Sequence, residues 1–166
     1  GVNPFTNYGV YEYYAFPGFL DQDVQLADGV CIEGNRINTQ LPHIERVDVL
    51  KGPSSALYGS SALGATVNLI RKKPAGQPTY HFMAAAGSWR TARGEFGATG
   101  RLGSDTFLYR LDVGAEDKEG YRRNQTRRLN VTPSLAWRIG PSDQVNVYYT
   151  FNRDRFAGDG GIPLLN

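Results

Sequence analysis

The sequence predicts a small α+β unit, a mixed sheet with short helical turns, followed by antiparallel up-and-down β strands of an incomplete transmembrane β-barrel. Three observations carry this. Gly and Pro punctuate residues 1–78 heavily, residues 79–156 alternate between apolar and polar positions with period two, and the connections between the alternating segments are unequal in length.

The first unit, residues 1–74, holds three strand candidates. Val24–Ala27 leads into an Asp28-Gly29 turn, and Ile44–Lys51 and Ala65–Lys72 are apolar at alternate positions. Ser54–Tyr58 is expected to form one helical turn, with Pro53 at a first helical position and Gly59 ending it. Residues 75–78 then form a stiff linker ending at Pro78, and the barrel portion is expected over 79–166.

That portion contains five alternating segments. Tyr80, Phe82, Ala84 and Ala86 share one face of the first. The second sets Ala92, Gly94, Phe96, Ala98, Gly100 and Leu102 against Arg93, Glu95, Gly97, Thr99 and Arg101. In the third, Phe107, Tyr109, Leu111, Val113 and Ala115 oppose Leu108, Arg110, Asp112, Gly114 and Glu116. The fourth sets Leu129, Val131, Pro133, Leu135, Trp137 and Ile139 against Asn130, Thr132, Ser134, Ala136 and Arg138. The fifth sets Val145, Val147, Tyr149 and Phe151 against Gln144, Asn146, Tyr148, Thr150 and Asn152. Alternation over about ten residues fits a tilted strand crossing a bilayer, whereas strands of about five or six suffice in a soluble sandwich. Residues 103–105 and 140–143 make tight turns, and a longer charged connection runs over 117–126, as in outer-membrane barrels. The connection Gly87–Arg90 is shorter than that pattern expects. Five strands cannot close a barrel, because open edges leave backbone groups that hydrocarbon cannot satisfy, so further strands are expected outside this chain.

Composition excludes some functions. The 166 residues carry 18 Lys and Arg against 16 Asp and Glu, a net charge of +2, which gives no electrostatic argument for a nucleic-acid partner. Ten Tyr, eight Phe and twenty Gly suit β-structure. The one cysteine, Cys31, permits no internal disulfide and is expected to be a small buried residue. His43 and His81 have no ligand-spaced companions, so no metal site and no cofactor are predicted. No nucleophile–base–orienter set stands out, and no catalytic residue is expected. There is no apolar run of transmembrane-helix length, and the first residues lack the pattern of a signal peptide.

One stretch carries more information than the rest. Residues 44–59 read IERVDVLKGPSSALYG, and residues 64–74 read GATVNLIRKKP. A strand ends in Lys51-Gly52-Pro53, a turn presents Tyr58, Gly59 stops it, and Gly64 opens a second strand containing Asn68. Glu45 and Arg46 face opposite sides of their strand, so at least one is expected to be buried or paired. Gly59 to Thr66 nearly matches a phosphate-binding loop, but Ala65 replaces its lysine and a strand follows instead of a helix.

This stretch closely resembles the plug-domain signature of TonB-dependent receptors. That signature has an acidic-basic pair (here Glu45 and Arg46), a basic-Gly-Pro turn (Lys51, Gly52, Pro53), Leu-Tyr-Gly (ending Tyr58, Gly59), a Gly-rich turn (Gly64) and Val-Asn-Leu (centred on Asn68). Residues 107–111 and 132–138 look most like the ferrichrome-type siderophore branch. The resemblance implies a 22-stranded barrel occluded by an internal plug in the bacterial outer membrane. It implies uptake of a ferric siderophore, or of cobalamin or a sugar, coupled to TonB through an N-terminal segment not in this chain. Outer-membrane lipid would be the other partner, and a passive porin-like barrel is the less favoured alternative.

The resemblance also locates a ligand. It places residues 31–41 at the plug apex, where Glu33, Asn35, Arg36, Asn38 and Gln40 would contact an iron chelate. Tyr11 and Tyr14, with Tyr13 between, would add an aromatic wall. The chain departs from the family where Tyr14-Ala15-Phe16 stands in place of the usual Arg-Gly-Phe. Arg93, Glu95, Arg101, Arg110, Asp112, Glu116 and Arg138 are expected to face the lumen, with Glu45 and Arg46 joining them from the plug.

Overall fold

A computed structural model describes residues 3–7, 11–16, 19–21, 25–31, 39–51, 65–120, 125–140 and 143–157. The chain divides into two compact units: residues 1–39, 44–71 and 158–166 form one, and residues 40–43 and 72–157 the other.

In the first unit, β1 (Asn3–Asn7), β2 (Tyr11–Phe16) and β3 (Phe19–Asp21) make an antiparallel meander. The sequence reading did not anticipate it, although the aromatic run of β2 has strand character. A second, mixed sheet has the order β5-β4-β7-β6, from β4 (Gln25–Ala27), β5 (Val30–Cys31), β6 (Ile44–Lys51) and β7 (Ala65–Arg71). Only β4 and β7 run parallel in it. Its buried apolar residues are Leu26, Val67 and Leu69; by register Leu26 shares a face with the buried Thr66 and Asn68 of β7, and Val67 and Leu69 lie on the other face. Among the described residues there is no helix; the helical turn expected at 54–58 lies outside them.

The Asp28-Gly29 turn forms as expected, with both residues at positive φ (49° and 83°), the geometry of a two-residue hairpin. Its hydrogen bonds tie it to β7. Asp28 donates its N–H to the Leu69 carbonyl and accepts from Arg71 through both carboxylate oxygens, at 2.9 Å from the backbone N–H and 2.6 Å from Nε. The Asn68 side-chain oxygen accepts from the Gly29 N–H at 3.0 Å. Cys31 is exposed, contrary to expectation, because it sits on a two-residue strand at the sheet edge.

The second unit is one long antiparallel sheet. Its strands are β8 (Thr79–Gly87), β9 (Thr91–Leu102), β10 (Ser104–Lys118), β11 (Thr126–Arg138), β12 (Gln144–Tyr148) and β13 (Phe151–Phe156). They pair in up-and-down order, with β9, β10 and β11 at 12, 15 and 13 residues. The expected fifth strand is two pieces, β12 and β13, both paired with β11 in one continuous register. The break falls at Tyr149-Thr150, opposite Pro133. Tyr149 donates its N–H to the Pro133 carbonyl, but proline has no N–H to return.

Register fixes the faces of this sheet. Pairs such as Phe82 with Phe96, Phe96 with Val113, Phe107 with Trp137 and Trp137 with Val145 put the apolar residues of every strand on one side. That side is the open one: Tyr80, Phe82, Phe107, Leu135, Trp137, Val147 and Tyr149 are all exposed. The opposite side, carrying Thr99, Asp112, Asn130, Thr132 and Ser134, is buried. An ordinary soluble sheet is arranged the other way round. The small residue Gly100 on the apolar side lies beneath the Tyr109 ring.

Candidate functional site

The polar face of the long sheet is covered, within its own unit, by two short segments, residues 40–43 and 72–78. Burying a polar face is stable only if its groups are hydrogen-bonded, and here they are. The Thr99 hydroxyl accepts from the Ala75 N–H at 2.8 Å and donates to the Tyr109 carbonyl at 2.8 Å. Arg101 donates from Nε to the Gly76 carbonyl at 3.0 Å. Pro74 is buried beside them, and the stretch read as a stiff linker is laid against the strands through Ala75 and Gly76.

An ionic cluster lies at the centre of this face. Arg110 grips the Asp112 carboxylate with two donors, Nε at 2.7 Å and Nη2 at 2.9 Å, and the Asp112 side chain is 3% exposed. Lys72 Nζ approaches the same carboxylate at 3.8 Å and donates to the Pro42 carbonyl at 2.6 Å. The Lys72 N–H also donates to the His43 carbonyl, so one lysine joins both covering segments to β10. The Pro42 ring occupies the space over Gly114, where any β-carbon would collide with it.

A second cluster holds Gln40. Its amide donates to Asp154 Oδ1 at 2.7 Å, and Arg128 Nε reaches the same oxygen at 3.3 Å. The Arg128 guanidinium stacks over the Phe156 ring at 5.1 Å. Asn130 donates to Asn152 at 2.6 Å farther along the same two strands.

The expected site residues fare unequally. Gln40 is described and buried, but its amide is engaged by Asp154. Glu33, Asn35, Arg36 and Asn38 lie outside the described residues, as do Gly52, Pro53, Tyr58, Gly59 and Gly64. Tyr11 and Tyr14 fall on β2, and Lys51 ends β6. Asn68 supports the Asp28-Gly29 hairpin. Glu45 and Arg46 are both exposed; a bulge between Ile44 and Arg46 makes Glu45 the extra residue, and Arg46 pairs with Asp48 at 3.1 Å on its own strand. Of the expected lumenal charges, Arg93 pairs with Glu95 and Arg110 with Asp112, both along single strands. Lys72, Arg128 and Asp154 were not anticipated. The even-numbered parity of Arg128 and Asp154 with Asn130 and Asn152 was the signal for the latter two. Among the described residues no cluster of His, Cys, Asp or Glu is arranged to hold a metal, and no helix is long and apolar enough to span a membrane.

Comparison with known proteins places these features. Residues 1–66 match the family model of the TonB-dependent receptor plug domain. The metal-pseudopaline receptor CntO of Pseudomonas aeruginosa is 38% identical over 120 residues, covering 71% of this chain and 17% of its own length. The catecholate siderophore receptor Fiu of Escherichia coli is 32% identical over 145 residues, covering 84% of this chain and 19% of its own. The crystal structure of the ferric-catecholate import receptor Fiu in its closed form superposes with a TM-score of 0.88 at 28% identity, over 98% of this chain and 24% of that one. The chain thus spans about a fifth of the length of the curated relatives it matches. These similar proteins are receptors, not enzymes.

Proposed function

We propose, from the premise that the chain belongs to the TonB-dependent receptor family, that the whole protein is an outer-membrane receptor that takes up a ferric siderophore by TonB-coupled active transport. Residues 1–74 would be the C-terminal part of its plug, residues 75–78 the linker, and residues 79–166 the first strands of its barrel. The observation that carries this reading is the inverted long sheet, apolar on its open side and polar where segments 40–43 and 72–78 cover it. A receptor that binds a chelate and then moves its plug needs such a wall: lipid-compatible outside, hydrogen-bonding inside.

The names of the similar receptors, for a metal-pseudopaline complex and for catecholate siderophores, support an anionic metal chelate as cargo. Iron enters here as substrate and not as a resident cofactor. Glu33, Asn35, Arg36, Asn38 and Gln40, with Tyr11 and Tyr14, are the residues proposed for the ligand; Gln40 also donates to Asp154 at 2.7 Å. Binding and gated release need no bond to be made, so no residue is given a catalytic role.

The test uses the full-length receptor. Cells that depend on it should accumulate radiolabelled iron from a ferric catecholate or a related chelate only when TonB is present. Arg36→Ala should raise the half-saturating concentration about tenfold, the loss of one charge-assisted contact. Iron accumulation that is unchanged by deleting TonB, or by deleting the receptor, would overturn the transport reading. Uptake of cobalamin or a sugar in place of iron would retain the family and replace the cargo.

A further inference from the structure

The turn between β8 and β9 is made in a conformation that its residues disfavour. The register pairs Gly87 with Thr91, which leaves Ser88, Trp89 and Arg90 as a three-residue loop. The common loop of this length is a right-handed turn followed by one left-handed residue, so a single positive φ at its last position suffices. Arg90 takes that position at φ 51°. Trp89 is left-handed as well, at φ 59°, and the Thr91 N–H closes the turn on the Ser88 carbonyl at 3.3 Å. A bulky L-residue seldom enters this region, because its Cβ crowds the backbone. Asp28, the remaining non-glycine residue at positive φ among the described residues, has the short polar side chain that tolerates it.

The end of β10 holds Trp89 in place. That strand ends at Lys118, and the next residue, Glu119, donates its backbone N–H to the Trp89 carbonyl at 3.1 Å. Glu119 Oε2 also lies 3.6 Å from Arg90 Nη1, but the arginine side chain is 86% exposed, so this ion pair contributes little. Turning Trp89 to the right-handed region would swing its carbonyl away from Glu119. The bond and the left-handed Trp89 therefore exist together or not at all. The tip has room to change, since Trp89 is exposed and Arg90 and Glu119 border a cleft of about 470 Å³.

We propose that the tip of the β8–β9 hairpin is a two-position element with the Glu119 N–H as its catch. With the catch closed, Trp89 is held left-handed and its indole is presented as in this structure. With the catch open, Trp89 returns to the right-handed region of the common loop, and its indole is re-aimed. The coupling runs both ways: displacing the chain at Glu119 turns Trp89, and a partner that prefers one direction of the indole shifts Glu119. This end of the sheet carries the longer connection, which marks the external side of outer-membrane barrels. The external position rests on the placement proposed above; the catch rests on the backbone alone.

The test is hydrogen exchange at the Glu119 amide of the full-length receptor, read by mass spectrometry at single-amide resolution, which reports how often the catch opens. Trp89→Gly removes the left-handed penalty and should slow this exchange about tenfold, the equivalent of one left-handed residue. Trp89→Ala is as free of indole contacts but keeps the penalty, and should not slow it. Trp89→Val, branched at Cβ, should speed it. Equal slowing by glycine and alanine would overturn the strain on which the element depends, as would exchange that is the same in all variants. A 5-fluorotryptophan introduced at position 89 gives a second readout. Glu119→Pro, which lacks the N–H, should move its fluorine resonance, and Glu119→Gln, which keeps it, should not. A resonance indifferent to Glu119→Pro, or moved as far by Glu119→Gln, would overturn the catch. Both readouts concern the hairpin and not iron uptake, so the element and the transport reading can fail separately.

Discussion

Tyr149 donates its backbone N–H to the Pro133 carbonyl at 3.1 Å and has no N–H facing it in return. The register on either side is continuous, Ser134 with Tyr148 and Val131 with Phe151, so the interruption between β12 and β13 is one missing donor and not a change of direction. On its other side Pro133 faces Leu111, where the ladder needs no bond from it. Replacing Pro133 with Ala should join β12 and β13 into one strand. Hydrogen exchange on the full receptor should then show a protected amide at position 133 and slower exchange at Tyr149, its bonded partner across the ladder. Unchanged exchange around 149–150 would mean that the break has another cause.

Asp112 is the most confined charge of the polar face. With Arg110 and Lys72 both directed at it, Asp112→Ala leaves two partly buried cations without their anion. The expected cost is about 3 kcal/mol, typical of removing one partner from a buried pair. Denaturant unfolding of the full receptor in micelles measures it. Asp112→Asn should cost less, since the amide oxygen still accepts from Arg110.

Gly114 is the contact point between β10 and the segment before β6. Gly114→Ala forces the Pro42 ring away and should loosen residues 40–43 while the β10–β11 ladder stays intact. Proteolysis or hydrogen exchange confined to that segment is the expected result. Loss of Gln40 from Asp154 should accompany it, and Gln40→Ala should reproduce the loosening without touching Gly114.

What could be read from the sequence was what depends on near neighbours in the chain. Period-two alternation placed Phe107, Trp137 and Val147 on one face without any knowledge of pairing, because strand geometry alone sends alternate side chains to opposite sides. The Asp28-Gly29 hairpin was legible for the same local reason. The break opposite Pro133 was not, since its cause lies on a different strand. The bond from Gln40 to Asp154 was not legible either, since the two lie 114 residues apart. The meander β1–β3 was missed because Gly and Pro between short aromatic runs resemble loop punctuation. Arg46 was expected to reach a distant carboxylate, and Asp48 two residues away meets it first. A double-mutant cycle between Arg46 and Asp48 should show coupling of a few tenths of a kcal/mol, the usual size for an exposed pair.

The central claim is that the long sheet is a membrane wall, lipid on one side and hydrogen-bonded polar groups on the other. Spin labels placed singly at residues 129–137 of the full-length receptor, in a Cys31→Ser background and a lipid bilayer, test this most directly. Labels at Leu129, Val131, Leu135 and Trp137 should collide with oxygen dissolved in the bilayer and be shielded from a water-soluble nickel complex. Labels at Asn130, Thr132, Ser134 and Ala136 should be shielded from oxygen and immobilised. Free collision of the nickel complex with the odd-numbered positions, or no alternation along the strand, would contradict the account.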